Sequence, residues 1–114
     1  PELYRRAFLQ LNDLYSNHTV IFTDGSHHSN GTGAAFILED LAFKFKLPGQ
    51  ASNFTAEAFS ILKAVEFILE QHEQNYIIYT DSFSTIQSLQ QPYPKNAIIQ
   101  NIQDTIHQII EQDK

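Results

Sequence analysis

Two short runs rich in β-branched and aromatic residues, each ending in an aspartate, constrain the fold of this chain more than any other feature. The runs are Thr19–Asp24 and Tyr76–Asp81, and a long amphipathic stretch that begins at Ser52 or Asn53 and ends near Glu73 lies between them. Short apolar runs predict buried strands, and apolar residues at three- and four-residue spacing predict a helix. If the two strands are parallel neighbours, both aspartates emerge at one edge of the sheet, where ligands bind in open α/β sheets.

The rest of the pattern predicts the element order βββαβαα in one α/β domain. The chain divides into a connector or helix over residues 1–18, with its amphipathic spacing between Leu3 and Tyr15, and a domain over residues 19–114. The third predicted strand, Leu41–Lys46, has one buried face, because apolar side chains alternate with Lys44 and Lys46 along it. The other predicted segments are a loop over His27–Gly33, strands over Ala34–Glu39 and Leu41–Lys46, and helices over Ser82–Gln90 and Asn96–Gln112.

The composition excludes several classes of protein. Thirteen Asp and Glu against seven Lys and Arg leave a net charge of −6, the wrong sign for a domain that grips nucleic acid by charge alone. The absence of cysteine rules out disulfides and cysteine metal sites and favours an intracellular location. No apolar run is long enough to span a membrane, and we expect no membrane partner. Because the chain starts at Pro1 and contains no Met, we expect a piece of a longer polypeptide.

Asp24 and Asp81 each end a row of side chains that alternation places on one face of a strand. Val20 and Phe22 precede Asp24 on its face, and Tyr79 precedes Asp81 on its face. We expect both rows to be buried, so that two carboxylates lie at the end of apolar rows.

Glu57 supplies a third carboxylate. It lies three residues after Phe54 and four before Ile61, inside the apolar stripe of the helix, so we expect it to point at the sheet. Three converging carboxylates repel each other unless a cation is present, and an all-oxygen ligand set suits Mg²⁺ or Mn²⁺. Each residue also has a local explanation: Asp24 could start a turn, Asp81 could cap the next helix, and Glu57 could favour the helix dipole.

Three short motifs surround these carboxylates: Thr23-Asp24-Gly25-Ser26, Ala56-Glu57-Ala58 and Thr80-Asp81-Ser82. In this order, and in these predicted elements, they resemble the type 1 ribonuclease H family. The segments Phe54-Thr55-Ala56-Glu57-Ala58 and Asp81-Ser82-Phe83-Ser84-Thr85-Ile86-Gln87-Ser88-Leu89 resemble, in particular, the RNase H domain of non-LTR retrotransposon polyproteins. The resemblance covers the chain from about Thr19 to its end.

The resemblance implies an RNase H-like fold and a metal-dependent endonuclease. The fold has a mixed sheet of three antiparallel strands followed by parallel strands, in the order 3-2-1-4-5, with flanking helices. The activity is cleavage of the RNA strand of an RNA–DNA hybrid, with two Mg²⁺ ions, or Mn²⁺, held by an Asp-Glu-Asp-Asp set. Asp24, Glu57 and Asp81 take the catalytic and metal-binding positions, with Asp24 bridging both ions.

The resemblance also assigns contacts with the substrate. The backbone at Gly25 and Ser26 approaches the RNA, because Gly25 has no side chain in the way. Asn53, one helical turn before Glu57, matches an asparagine that contacts the minor groove, whereas Phe54 replaces a polar residue. Glu57 additionally senses the ribose 2′-hydroxyl group.

The C-terminal part departs from the family pattern. The last strand and the final helix, which carries the fourth aspartate, are missing, and neither Asp104 nor Asp113 stands in a matching context. We therefore expect impaired activity from this fragment. We also expect an open sheet edge that permits a homodimer. A reverse transcriptase domain upstream in the same polyprotein would deliver the hybrid.

Other interpretations stay open. A non-catalytic RNase H-like module for binding or assembly would use the same fold, whereas an integrase or resolvase fits the order of the carboxylates poorly. Lys44 and Lys46 could meet phosphate or only keep an exposed strand soluble. His27 and His28 could contact a metal or phosphate, or lie on the surface.

Overall fold

The computed structural model describes residues 6–10, 18–29, 31–71 and 75–112, with backbone alone at residues 6–10 and 28. Over these residues the element order is ββββαβαα. The strands are β1 (Arg6–Gln10), β2 (Thr19–His28), β3 (Gly31–Leu38), β4 (Leu41–Leu47) and β5 (Tyr76–Thr80), and the helices are α1 (Asn53–Leu69), α2 (Phe83–Leu89) and α3 (Ala97–Gln112). No helix among the described residues is long and apolar enough to cross a membrane.

The strands form one mixed sheet in the order β1-β5-β2-β3-β4. β2, β3 and β4 are antiparallel neighbours, and β2 pairs in parallel with β5 through Thr19–Phe22. The predicted parallel pairing of the two aspartate-bearing strands is therefore confirmed, as is the RNase H-like α/β fold with its mixed sheet and helices.

The N-terminal strand corrects two expectations. Arg6–Gln10 is a β-strand and not the helix that its spacing predicted, since β1 pairs antiparallel with β5 across a bulge between Ala7 and Leu9. The expected open edge beside β5 is also wrong, because β1 occupies that edge. The other residues of the predicted segment, 1–5 and 11–17, lie outside the described part, and the domain boundary between residues 18 and 19 stays a prediction.

The hairpin of β2 and β3 is longer than the sequence indicates. β2 continues through Gly25 and Ser26 to His28, and β3 begins at Gly31, so most of the predicted loop is paired strand. Cross-strand pairing overrides the local turn signal of Gly25 and Ser26. The turn between β3 and β4 is tight, as predicted around Asp40, with Glu39 at a φ of 55°.

The hydrophobic core lies between α1 and one face of the sheet. Ile21, Phe36 and Ile78 from the sheet meet the apolar stripe of α1, and the buried isoleucines of α3 pack against α1 in turn. β4 turns Phe43 and Phe45 toward this core, as its alternation predicts. The last helix thus contributes its buried isoleucines to the core.

The opposite face of the sheet, here called the open face, carries the alternate residues. On β2 it carries Phe22, which is 36% exposed, and on β3 it carries Ile37, which is 37% exposed. The buried residues of β2 are Ile21 and Thr23, so the expectation that Asp24 ends a buried row is wrong. The same expectation for Asp81 is also wrong, because the buried residues of β5 are on the opposite face from Tyr79. Alternation alone separates two faces of a strand without showing which face a helix covers.

Candidate active site

Glu57 lies near the start of α1 but beyond its first turn. The helix is capped by Ser52, whose hydroxyl accepts the amide N–H of Thr55 at 3.1 Å. Asn53 is then the first helical residue, so Glu57 lies one turn further on, where the dipole effect has weakened. The Glu57 side chain reaches toward the sheet as predicted, and its Oε1 is buried with no hydrogen-bond partner.

The carboxyl of Glu57 has a strongly perturbed pKa. Burial in the first place, and then the negative charge of Asp24, raise this pKa from 4.5 to about 7. A backbone hydrogen bond at Gly25 acts in the opposite direction, and the charge of Asp81 raises the pKa further. Glu57 is therefore within electrostatic range of both aspartates. Burial of its carboxyl makes the ionised form costly.

Gly25 allows the close contact that brings Glu57 to the strand. A Cβ atom at Gly25 would lie 2.4 Å from the carbonyl carbon of Ala56, 2.4 Å from the amide nitrogen of Glu57 and 2.7 Å from the Ala56 carbonyl oxygen. The sequence interpretation gave a different reason for this glycine, the approach of RNA to its backbone. In the structure the space of the missing side chain is filled by the backbone of α1.

Asp24 lies within β2 and not in a turn. Its Cα is paired with that of Ala35 on β3, and its side chain is exposed. The turn-starting explanation for this residue is therefore wrong, because the strand continues beyond it for four residues to His28.

Asp81 directly follows β5, and its side chain is also exposed. The helix cap after this strand is Ser82, which accepts the Thr85 amide N–H at 3.3 Å, while the Ser82 amide donates to the Thr80 hydroxyl at 3.1 Å. The N-cap of α2 is therefore Ser82 and not Asp81. None of the three local explanations accounts for the carboxylates in this structure.

The three carboxylates suit a divalent cation by their chemistry but do not form a complete coordination shell. Among the described residues, no three Asp, Glu or His side chains are arranged as a complete metal site. The donor set consists only of carboxylate oxygens, which magnesium and manganese prefer. Oε1 of Glu57 has no partner in its buried position, and a buried polar atom of this kind requires an explanation.

The predicted substrate-contact residues surround this site. Asn53 is exposed and lies one helical turn from Glu57, while the half-buried Ser26 lies two residues beyond Asp24 on β2. Their contacts with a nucleic acid stay predictions.

A hydrogen-bond network beside the site was not foreseen. Nδ1 of His27 lies 2.6 Å from the hydroxyl of the buried Thr32, which donates toward the carbonyl oxygens of Gly49 at 3.3 Å and Ala51 at 3.2 Å. Because the carbonyls only accept, His27 donates through Nδ1 when the hydroxyl points at either of them. The network holds the β2–β3 hairpin to the segment that leads into α1. The signal in the sequence is His27 itself, for which a metal contact, a phosphate contact and a surface position are all open interpretations.

The remaining polar candidates lie away from the carboxylates or outside the described part. Asp104 is exposed on α3, and His107 on the same helix pairs with Glu111 at 3.1 Å. Asp113 and His72 are not among the described residues.

Comparison with known proteins gives one match. A family model described as RNase H matches residues 16–113, which is most of the chain. No match was found among curated proteins or among solved structures.

Proposed function

The chain belongs to the RNase H family, and from this premise we propose that it is a metal-dependent endonuclease that cleaves the RNA strand of RNA–DNA hybrids, with Asp24, Glu57 and Asp81 as the metal-binding carboxylates. The family consists of hydrolases that act on such hybrids, which gives the reaction class. The single observation that carries the assignment of residues is the carboxyl of Glu57, which is partly buried, has no hydrogen-bond partner at Oε1 and is repelled by two aspartates.

The proposed roles follow from where each residue is held. Gly25 lets α1 bring Glu57 against β2, while Asp24 lies on β2 and Asp81 directly follows the neighbouring parallel strand β5. The charges of both aspartates act on Glu57. The bound divalent ions would activate a water molecule and stabilise the departing 3′ oxygen. Asn53 would contact the hybrid; its position on the exposed start of α1, one helical turn from Glu57, supports this proposal.

We also propose a cellular context for this activity. The domain works inside the cell as part of a retrotransposon-type polyprotein, with a reverse transcriptase domain supplying the hybrid. An acidic chain of net charge −6 gains from such delivery, because tethering replaces affinity with a high effective concentration.

The test is cleavage of a labelled RNA–DNA hybrid with Mg²⁺. We expect Asp24→Asn and Glu57→Gln to reduce cleavage to background. Asp104→Asn is the matched control, since it makes the same carboxylate-to-amide change at an exposed position on α3. Unchanged cleavage by Asp24→Asn would refute the assignment.

A second candidate is a non-catalytic RNase H-like module. The exposed side chains of Asp24 and Asp81, and the absence of a complete metal site among the described residues, favour it. A chain of this kind would bind the hybrid without cleaving it and would show no Mg²⁺-dependent rise in melting temperature. An endonuclease would show both cleavage and this rise.

A further inference from the structure

We propose that a groove on the open face, between β2 and β4, binds the phosphodiester backbone of a nucleic-acid strand through Lys44 and Lys46. The inference rests on the proposed function, because it places a substrate strand beside the carboxylates. It extends the carboxylate site by a binding surface that reaches from Asp24 on β2 to the lysines of β4.

The first row of the groove runs across three strands. Asp24 on β2 is paired with Ala35 on β3, which is paired with Lys44 on β4. Directly opposed residues of antiparallel strands project to the same face. Lys44 therefore lies on the same face as Asp24, with only the methyl group of Ala35 between them.

The second row repeats this arrangement two residues along. Ser26 on β2 is paired with Gly33 on β3, which is paired with Lys46 on β4. Gly33, which lies between Ser26 and Lys46, leaves the floor of the groove without a side chain in this row. The two rows together make a channel that is bounded by polar groups of β2 and lysines of β4.

The dimensions suit a single nucleic-acid backbone. Two strand spacings separate β2 from β4, or about 10 Å. A shallow pocket of about 190 Å³ lies in this channel, and its lining includes Asp24, Ser26 and Lys44. The pocket is open to solvent, as binding of a polymer requires.

The charges indicate an anionic occupant. Lys44 and Lys46 are exposed, and neither forms an ion pair within the described part of the chain. Lys63, by contrast, pairs with Glu66 at 3.1 Å. Lysines on an edge strand also limit aggregation, but that role does not require a floor of the smallest residues or a carboxylate in the same row.

The test measures the affinity for a fluorescent RNA–DNA hybrid by anisotropy, without divalent ions, over a series of KCl concentrations. We expect Lys44→Ala to weaken binding several-fold and to reduce the slope of log K against log[KCl] by about 0.9, the value for one lost phosphate contact. Lys44→Arg keeps the charge and should keep the slope. Lys95→Ala is the matched control, because it removes one exposed charge from the connector before α3.

A steric variant tests the groove independently of charge. A Cβ at Gly33 would meet only the carbonyl oxygen of Phe45, at an ordinary 3.5 Å, so the strand accepts a Cβ there. Gly33→Val should preserve the melting temperature and weaken hybrid binding. Circular dichroism of each variant confirms that the fold is kept.

The outcomes separate this inference from the proposed function. If Lys44→Ala and Lys95→Ala bind alike, or if Lys44 matters only for anionic vesicles or acidic proteins, the groove assignment is overturned while hybrid cleavage can stand. If Lys44 governs hybrid binding but the wild-type chain does not cleave with Mg²⁺, the groove assignment stands and the endonuclease fails.

Discussion

Substitution of Gly25 by alanine tests the contact on which the geometry of the candidate site depends. The added Cβ would lie 2.4 Å from two backbone atoms of α1, whereas ordinary contact begins at 3.4 Å. The overlap is with Ala56 and Glu57 backbone atoms, which cannot rotate away as a flexible side chain can. Relief therefore requires α1 to move away from β2.

The expected loss of stability follows from that overlap. Overpacking a well-packed core costs about 1–3 kcal/mol, and we expect about 3 kcal/mol because the opposing atoms are backbone. For a chain of 114 residues, 1 kcal/mol corresponds to about 4 °C in melting temperature. Gly25→Ala should thus melt about 12 °C lower. The retreat of α1 should also lower the pKa of Glu57 toward 4.5, because the carboxyl gains water and distance from Asp24.

The assay is thermal and urea unfolding followed by circular dichroism, with Gly33→Ala as the matched strand glycine. The added Cβ of Gly33→Ala has an ordinary 3.5 Å contact. The free energy of unfolding of this variant should therefore rise by no more than about 1 kcal/mol. A Gly25→Ala chain that loses less than about 1 kcal/mol, or that matches Gly33→Ala, would show that α1 does not approach β2 as described.

Two further perturbations test the site and its helix. The raised pKa of Glu57 means that its contribution to stability is fully present below pH 4.5 and is lost as pH rises to about 7 in metal-free protein. The free energy of unfolding of Glu57→Gln should accordingly rise by about 1–2 kcal/mol relative to the wild type over that range, a value that allows for solvent screening of a partly exposed group. A pH-independent difference in urea unfolding would contradict this. Ser52→Ala should cost about 1 kcal/mol because it removes the cap of α1, while Asn53→Ala should change unfolding by less than about 0.5 kcal/mol; equal effects would place the cap elsewhere.

Sequence periodicity predicted the elements whose burial is unambiguous. Tyr76–Thr80 is predicted to the residue, because the run is short, apolar and bounded by polar residues. The stripe of α1 also predicts the direction of Glu57, since helical spacing leaves one face for the core. The predicted helix runs too far, to Glu73, whereas α1 ends at Leu69 and is capped at Glu70.

Long-range pairing explains the parts that periodicity could not predict. Gly25 and Ser26 form a turn signal on their own, but eight paired positions between β2 and β3 extend the strand through them. Arg6–Gln10 has helical spacing, yet it forms a strand because it pairs with β5, which is distant in sequence. The position of Lys44 in the same row as Asp24 likewise depends on the register of β2 with β3 and of β3 with β4, which no local pattern encodes.

The placement of β1 has a consequence for the order in which the sheet assembles. β2, β3 and β4 are joined by short turns and can pair soon after collapse, whereas β5 joins β2 only after α1 has crossed over the sheet. β1 precedes all of these in the chain but pairs with β5, which is distant in sequence. The entropy cost of closing this long loop should consequently be offset last. We therefore expect the first strand of the chain to be the last one fixed, and the edge of β5 to stay available to other extended chains during the earlier stages of folding.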